Sequence, residues 1–166
     1  MAHDIIRKRP DIRQAARMPD YDAFRDGFSW EDERAKIAWL TKDRMNIAHE
    51  IVDRHVVEGH GNREAIRWLG RDGTRKTLSY AELRKETDRV ANLLVDLGVK
   101  PGDTVFSLLG RRLELYITAI GALKAGCVFC PLFSAFGPEP IKSRLQLGAG
   151  RLLLTPLALY RRKVAR

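Results

Sequence analysis

The stretch that decides the fold runs from Leu78 to Leu132. It contains three phrases, LSYAEL at 78–83, GVKPGD at 98–103 and GALKAGCVFCPL at 121–132. In the first phrase Ser79 is followed three residues later by Glu82, a capping box that predicts the start of a helix. The apolar stripe expected on that helix consists of Leu83, Val90, Leu94 and Leu97. Gly98 follows the stripe, as glycine often does where a helix ends.

The second half of this stretch predicts a strand, a helix and another strand. Pro101-Gly102 is typical of the centre of a type II turn, and the apolar run at 104–109 indicates a buried strand. The helix at about 113–125 is expected to bury one face formed by Leu113, Tyr116, Ile117, Ile120 and Leu123. A second buried strand at 127–132 completes a βαβ unit of a parallel sheet. Residues 151–155 predict a third strand after a helix that begins near Pro138.

Upstream of the capping box, turn residues at 71–73 separate two short strands, which predicts an antiparallel hairpin. Asn46 is expected to cap a helix that runs to about Val57. Ser29 is expected to cap an earlier helix that runs to about Leu40. We predict a flexible segment at 1–20, an extension at 21–58 and an α/β region at 59–166.

The order of these pieces resembles the N-terminal subdomain of the AMP-forming acyl-CoA synthetases, which belong to the adenylate-forming superfamily. The phrases that carry the resemblance are Leu78–Leu83, Leu97–Asp103, Leu115–Leu132 and Leu152–Thr155. Two further phrases resemble the acetyl-CoA synthetase (acetate–CoA ligase) branch most: 46–48 leading to 53–55, and 131–136 after the second strand. In that branch an aromatic-rich segment packs on the main body, as expected here for the extension that contains Tyr21, Phe24, Phe28, Trp30 and Trp39.

The resemblance implies a fold and a reaction. The fold is α/β: an incomplete N-terminal subdomain of the adenylate-forming enzymes, with βαβ units, a mostly parallel sheet and an N-terminal helical extension. The complete enzyme would use ATP and magnesium to convert a short carboxylate into an acyl-adenylate. Coenzyme A would then attack the adenylate to give the thioester and AMP. The chain is interpreted as a fragment of such a ligase and is expected in the cytoplasm.

By the same resemblance, Arg161 and Arg162 fall where arginines contact phosphates of coenzyme A, with Lys163 adjacent. Guanidinium groups suit this task because they form charge-assisted hydrogen bonds with phosphate oxygens. Phe133, Ser134 and Ala135 follow the second strand, where small residues could let a ligand approach the backbone. Many acetyl-CoA synthetases carry glycines in place of Ser134 and Ala135, so this chain departs from that branch at these two positions. Packing of the phenylalanines, or solvation of the arginines, is the alternative reading.

The catalytic equipment of the superfamily is not found in the sequence. Its phosphate loop is rich in Ser, Thr and Gly and ends in Pro-Lys-Gly, which the 166 residues do not contain. The later acidic residue that holds the ribose and the adenylation lysine would lie beyond residue 166. No catalytic residue and no metal ligand are therefore assigned, and the chain alone is expected to be inactive.

The charge leaves alternative functions open. The net charge is +9, and residues 140–166 contain seven basic side chains and no acidic one. A basic segment of this kind can bind a phosphorylated cofactor or a polyanion such as nucleic acid, or it can simply be solvated. A non-catalytic binding module that uses this end is the alternative to a ligase, and nucleic acid is an unlikely partner because no motif supports it. A short parallel sheet with an unpaired edge at 151–155 is expected to make the isolated chain self-associate.

Cys127 and Cys130 form a CxxC pattern within the second strand. Residues three apart on a strand face opposite sides of the sheet, too far apart for a disulfide. We therefore expect two reduced thiols. No apolar run approaches the roughly 20 residues that a membrane helix needs, so no membrane partner is predicted.

Overall fold

The structure is a computed structural model that describes residues 9–11, 20–37 and 44–165. The chain divides into two compact units, Met1–Ile37 and Ala38–Arg166. Most of the predicted flexible segment at 1–20 lies outside the described residues, as does Trp39. The predicted boundary at residue 58 stays a prediction.

The first unit contains two short helices, α1 (Tyr21–Asp26) and α2 (Trp30–Ala35). Ser29 caps α2 as predicted, because its side chain accepts a hydrogen bond from the backbone N–H of Asp32 at 3.4 Å. The helix ends at Ala35, earlier than the sequence suggested. Three aromatic rings of this unit contact one another. The centroid of the Phe28 ring lies 6.1 Å from the centroid of the Phe24 ring and 5.0 Å from the centroid of the Trp30 ring.

The second unit holds the remaining elements. In chain order they are a π-helical turn His49–Asp53, α3 (Arg54–Val57), β1 (Glu64–Leu69), β2 (Arg75–Ser79), α4 (Tyr80–Asp96), β3 (Thr104–Ser107), α5 (Leu113–Lys124), β4 (Val128–Pro131), α6 (Pro138–Leu147), β5 (Gly150–Leu154) and α7 (Leu157–Lys163). Strands β1 and β2 form the predicted antiparallel hairpin. Strands β3, β4 and β5 form a parallel sheet in the order β4-β3-β5. The α/β fold class and the βαβ connection are therefore confirmed.

Helices cover both faces of the parallel sheet. On one face Val105 of β3 packs with Leu94 of α4 and Ala122 of α5. On the other face Phe106 packs with Ile141 of α6, together with residues of α7. The two crossover helices, α5 and α6, thus lie on opposite sides. This is the arrangement of a doubly wound sheet.

The capping box forms as the sequence predicts. The Ser79 hydroxyl accepts a hydrogen bond from the N–H of Glu82, and the Glu82 carboxylate accepts one from the N–H of Ser79 at 2.8 Å. The second bond holds the pKa of the Glu82 carboxyl below its usual range. The predicted turn at Pro101-Gly102 also forms, with Gly102 at a φ of +88°.

The predicted buried stripes are only partly correct. Leu83 and Leu94 of α4 are buried, but Leu97 lies past the end of the helix and is 52% exposed. On α5 Tyr116 is exposed, and the other four large side chains of the predicted face are half-buried. The buried residues of that helix are Thr118, Gly121 and Ala122, because α5 crosses α4 closely and only small residues fit between the two backbones.

Gly148 is the C-cap of α6, and the glycines of the turn between α6 and β5 also lie close to an aromatic ring. A side-chain Cβ at Gly148 would lie 2.6 Å from Cζ of Phe106, and one at Gly150 would lie 3.0 Å from Cδ2 of the same ring. Both glycines therefore make room for Phe106, and the positive φ of 45° is adopted by Ala149 instead. Leu147, at the end of α6, is exposed.

Both cysteines are free thiols, and they lie on opposite faces of the sheet as predicted. Burial raises the pKa of the Cys127 thiol, and the nearby Asp103 carboxylate raises it further. A thiol with a raised pKa is mostly protonated near neutral pH, so Cys127 is an unreactive part of the core.

Candidate functional site

The carboxyl ends of β3, β4 and β5 lie at one edge of the parallel sheet. The chain passes from β3 to β4 through α5 on one face and then crosses β3 to reach β5 through α6 on the other face, so the switch point of this doubly wound sheet lies between β3 and β5. A cleft of about 250 Å³ opens there. It is lined by Leu109, Arg112, Glu114, Thr118, Leu154, Thr155 and Pro156. The cleft occupies the position where open parallel sheets bind ligands.

The polar groups of this cleft are mostly paired within the protein. The Thr155 hydroxyl donates a hydrogen bond to the backbone oxygen of Leu108 at 3.3 Å. Arg112 forms an ion pair with Glu114 at 3.3 Å. The pKa of the Glu114 carboxyl is lowered, first by its own backbone N–H and, against the effect of burial, by Arg112. The cleft thus has a defined shape, but most of its polar side chains already form contacts within the protein.

The turn after β4 contains the predicted site residues Phe133, Ser134 and Ala135. It is closed by a hydrogen bond from the N–H of Phe136 to the oxygen of Phe133 at 3.0 Å. The two phenylalanine rings meet edge to face with centroids 5.7 Å apart. Phe133 and Ala135 are exposed, whereas Ser134 is half-buried and lies against Gly110, just past the end of β3. The turn therefore presents its backbone and one aromatic ring at the carboxyl edge of the sheet.

The other predicted site residues lie on α7, which starts two residues after β5. Arg161 and Arg162 are exposed, and neither side chain has a hydrogen-bond or ion-pair partner within residues 44–165. Lys163 behaves differently, because its ammonium donates hydrogen bonds to the oxygens of Ser134 at 2.6 Å and Phe136 at 2.9 Å. The structure thus joins α7 to the turn through Lys163, while the two arginines are exposed.

A groove of about 330 Å³ runs between α6 and α7 beside this junction. Its apolar lining includes Ile141 and Val164, and its charged lining residues are Lys142, Lys163 and one acid, Glu139. Nearby, the guanidinium of Arg144 lies 4.2 Å from the centre of the Phe136 ring, a cation–π contact. This face of the molecule is therefore basic, in agreement with the excess of cations after residue 140.

Within the described ranges, no group of three or more His, Cys, Asp or Glu side chains could hold a metal ion. His49 and His55, the two histidines of the capped helix, serve structure instead. His49 lies 3.8 Å from the Asp53 carboxylate, and His55 stacks on Tyr80 with ring centroids 4.4 Å apart. None of the helices in those ranges combines the length and the apolar character needed to cross a lipid bilayer.

The doubly wound sheet and its carboxyl-edge cleft define an α/β fold of the kind that binds ligands at a switch point, and comparison with known proteins gives the family. The model of the AMP-binding enzyme family matches residues 53–166. The chain belongs to the AMP-binding enzyme family. The resemblance inferred from the sequence is confirmed by this match.

Individual relatives agree with that assignment. Acetyl-coenzyme A synthetase of Mycolicibacterium smegmatis is 32% identical over 152 residues, which cover 90% of this chain and 16% of the relative. The same enzyme of Deinococcus radiodurans is 34% identical over 87% of this chain and 22% of the relative. The crystal structure of a Brucella canis acyl-CoA synthetase superposes with a TM-score of 0.80 and 36% identity, over 88% of this chain and 26% of that one. The chain thus spans about a fifth of the length of its curated relatives.

The sequence predicted the two groups of site residues separately, and the contact that joins their segments was missed. Lys163 was noted only as a neighbour of the two arginines. A lysine near the end of a basic helix is usually solvated, so nothing in the sequence distinguished it from Arg161 and Arg162. What distinguishes Lys163 is visible only in the folded structure, where its ammonium meets two backbone oxygens that lie 27 and 29 residues earlier in the chain.

Proposed function

We propose that this chain is the front portion of an acetyl-CoA synthetase-like ligase. The complete enzyme activates a short carboxylate with ATP and magnesium to an acyl-adenylate and transfers the acyl group to coenzyme A. The chain supplies scaffold and part of the coenzyme A surface. The proposal includes a cytoplasmic location and assigns no adenylation step to these 166 residues, so we expect the chain by itself to form no acyl-adenylate.

One observation carries the coenzyme role. Arg161 and Arg162 are exposed cations without partners in the described part of the second unit, and their helix is fastened to the turn at 133–136. Coenzyme A presents phosphate groups and an adenine ring. Guanidinium groups suit the phosphates, and the exposed Phe133 ring with the backbone of Ser134 and Ala135 suits the flat base.

The double substitution Arg161→Met with Arg162→Met is expected to weaken coenzyme A binding by at least about tenfold, because each hydrogen bond to a charged group contributes about 1.5–3 kcal/mol. Isothermal titration calorimetry on the 166-residue chain gives the dissociation constant. The matched control is Arg71→Met with Lys85→Met, which removes the same charge from exposed positions in the hairpin turn and on α4. Equal affinities of the two double variants would contradict a specific role for the arginines.

The same basic end would serve a non-catalytic binding module, which is the second candidate. The unpaired arginines favour coenzyme A binding under both proposals, so the two differ only in activity. Acyl-adenylate formation by a longer product of the same gene supports the ligase, and coenzyme A binding without it supports the module.

We further propose that the isolated chain associates with itself through β5. Within residues 44–165 this strand pairs with β3 alone, which leaves its other edge open. Size-exclusion chromatography with light scattering is expected to show oligomers. Arg151 has no partner residue on β3, because the register shifts there, so Arg151→Pro is tolerated at this bulge and blocks edge pairing. A monomeric wild-type chain would refute the proposal, and oligomers that persist in Arg151→Pro would place the contact elsewhere.

A further inference from the structure

We propose that Lys163 is a positioning residue that fixes the conformation of the turn at 133–136 and so presets the coenzyme A surface. This inference rests on the proposed function for its consequence, but the hydrogen bonds that motivate it are features of the chain itself. Lys163 would act through the turn and the helix that it joins, without contacting the coenzyme.

The geometry around the ammonium group supports a positioning role. Two of its three donors are used, one on the oxygen of Ser134 at 2.6 Å and one on the oxygen of Phe136 at 2.9 Å. Hydrogen bonds from a charged donor are stronger than neutral ones, and both bonds are partly shielded from water. A pair of acceptors two residues apart fixes the backbone between them, which is the backbone of Ala135.

This turn has other contacts on either side of Ala135: Phe136 packs against the core cluster that contains Phe106 and Ile141, and Ser134 lies against Gly110. Its only internal backbone bond joins Phe136 to Phe133, and Arg144 lies over the Phe136 ring. Phe133 and Ala135 are exposed and add little packing. Removal of the Lys163 ammonium would leave the oxygens of Ser134 and Phe136 without their shielded donor, so the turn would sample further conformations.

The direction of Lys163 also separates its role from that of the arginines. Successive residues of a helix are about 100° apart, so Arg162 and Arg161 leave α7 about 100° and 200° away from Lys163. With Lys163 directed at the turn, the arginines are directed elsewhere and remain exposed. Lys163 thus holds the end of α7 on the turn, while Arg161 and Arg162 stay available for an anion.

The hydrogen bonds of Lys163 affect the affinity for coenzyme A because they set the fraction of molecules in which the turn has its binding conformation. If the turn adopts its binding conformation only one tenth of the time, the apparent dissociation constant rises about tenfold. Lys163→Met is therefore expected to weaken coenzyme A binding by about tenfold. Lys163→Arg is expected to restore most of the affinity, because a guanidinium group can donate to two oxygens at once.

The test measures two properties of the 166-residue chain, calorimetric affinity for coenzyme A and hydrogen exchange of the Phe136 amide without ligand. Wild type, Lys163→Met, Lys163→Arg and the control Lys85→Met are compared. Lys85 is an exposed lysine on α4, so its substitution removes one charge without touching the turn. We expect Lys163→Met to exchange at least about tenfold faster at Phe136 and to bind weakly, and we expect the other two variants to resemble wild type.

Two outcomes would overturn the inference. Weak binding with unchanged exchange at Phe136 would mean that Lys163 contacts the coenzyme directly. Faster exchange with unchanged affinity would mean that the turn does not shape the site. If the wild type binds no coenzyme A, the proposed function fails, and the exchange rates alone then decide whether Lys163 sets the turn.

Discussion

Lys124→Met is expected to lower the free energy of unfolding by about 1–3 kcal/mol, because the mostly buried Asp53 carboxylate loses a close hydrogen-bond donor and keeps longer contacts with Arg84 at 3.7 Å and His49 at 3.8 Å. The Lys124 ammonium lies 2.7 Å from the carboxylates of both Asp53 and Asp88. The side chains of Lys124 and Asp53 are only 14% and 16% exposed, so water can replace little of the lost contact. Thermal or urea unfolding followed by circular dichroism measures the loss.

Two further variants sharpen this test. Lys85→Met removes an exposed lysine of the neighbouring helix and is expected to change stability by less than about 0.5 kcal/mol. Adding Asp53→Leu to Lys124→Met is expected to recover part of the loss, since an apolar pair can replace a buried ionic pair at little cost. Equal stabilities of Lys124→Met and Lys85→Met would show that the ion pair contributes nothing beyond surface charge.

The importance of Lys124 follows from the elements that it joins. Asp53 lies at the end of the π-helical turn, Asp88 lies on α4 and Lys124 ends α5. Asn46 reinforces the same junction: its side-chain oxygen accepts from the N–H of Ala48, and its amide donates to the oxygens of Leu123 and Lys124. The predicted cap residue therefore closes two helices at once.

Local signals in the sequence predicted most of the fold. These signals depend on residues only a few positions apart, so the sequence alone reveals them. They are the capping box at Ser79, the turn at Pro101-Gly102 and the proline at the start of α6. Short apolar runs between such signals favour strands of a buried sheet. The order of the predicted pieces then gave the resemblance to the AMP-forming acyl-CoA synthetases.

Contacts between elements were harder to predict. Periodicity gave α5 a face of large side chains, but the helix buries its small residues instead. The partners of Lys124 lie 71 and 36 residues away in sequence, and those of Lys163 are backbone oxygens that any residue possesses. A pattern on one helix cannot show which neighbour will approach, or how closely.

Gly121→Ala is expected to destabilise the protein by about 1–3 kcal/mol, because adding atoms to a well-packed core forces side chains and backbone to shift. A Cβ at this position would lie 2.6 Å from Cβ and Cγ1 of Val90 and 3.0 Å from the backbone oxygen of Thr87. Helix propensity predicts the opposite sign, since alanine stabilises an exposed helix by about 1 kcal/mol relative to glycine. The experiment therefore decides between local preference and packing.

Gly61→Ala is the matched control for this substitution. A Cβ there would meet Ala81 and Val56 at 3.5 and 3.6 Å, which is ordinary van der Waals contact, so we expect a change between zero and a gain of about 1 kcal/mol. If Gly121→Ala also gained stability, α4 and α5 would have to move apart without cost, and close approach of the two helices could not explain why α5 buries its small residues. A loss at Gly121 alone would show that the distance between these helices selects the residues that α5 buries.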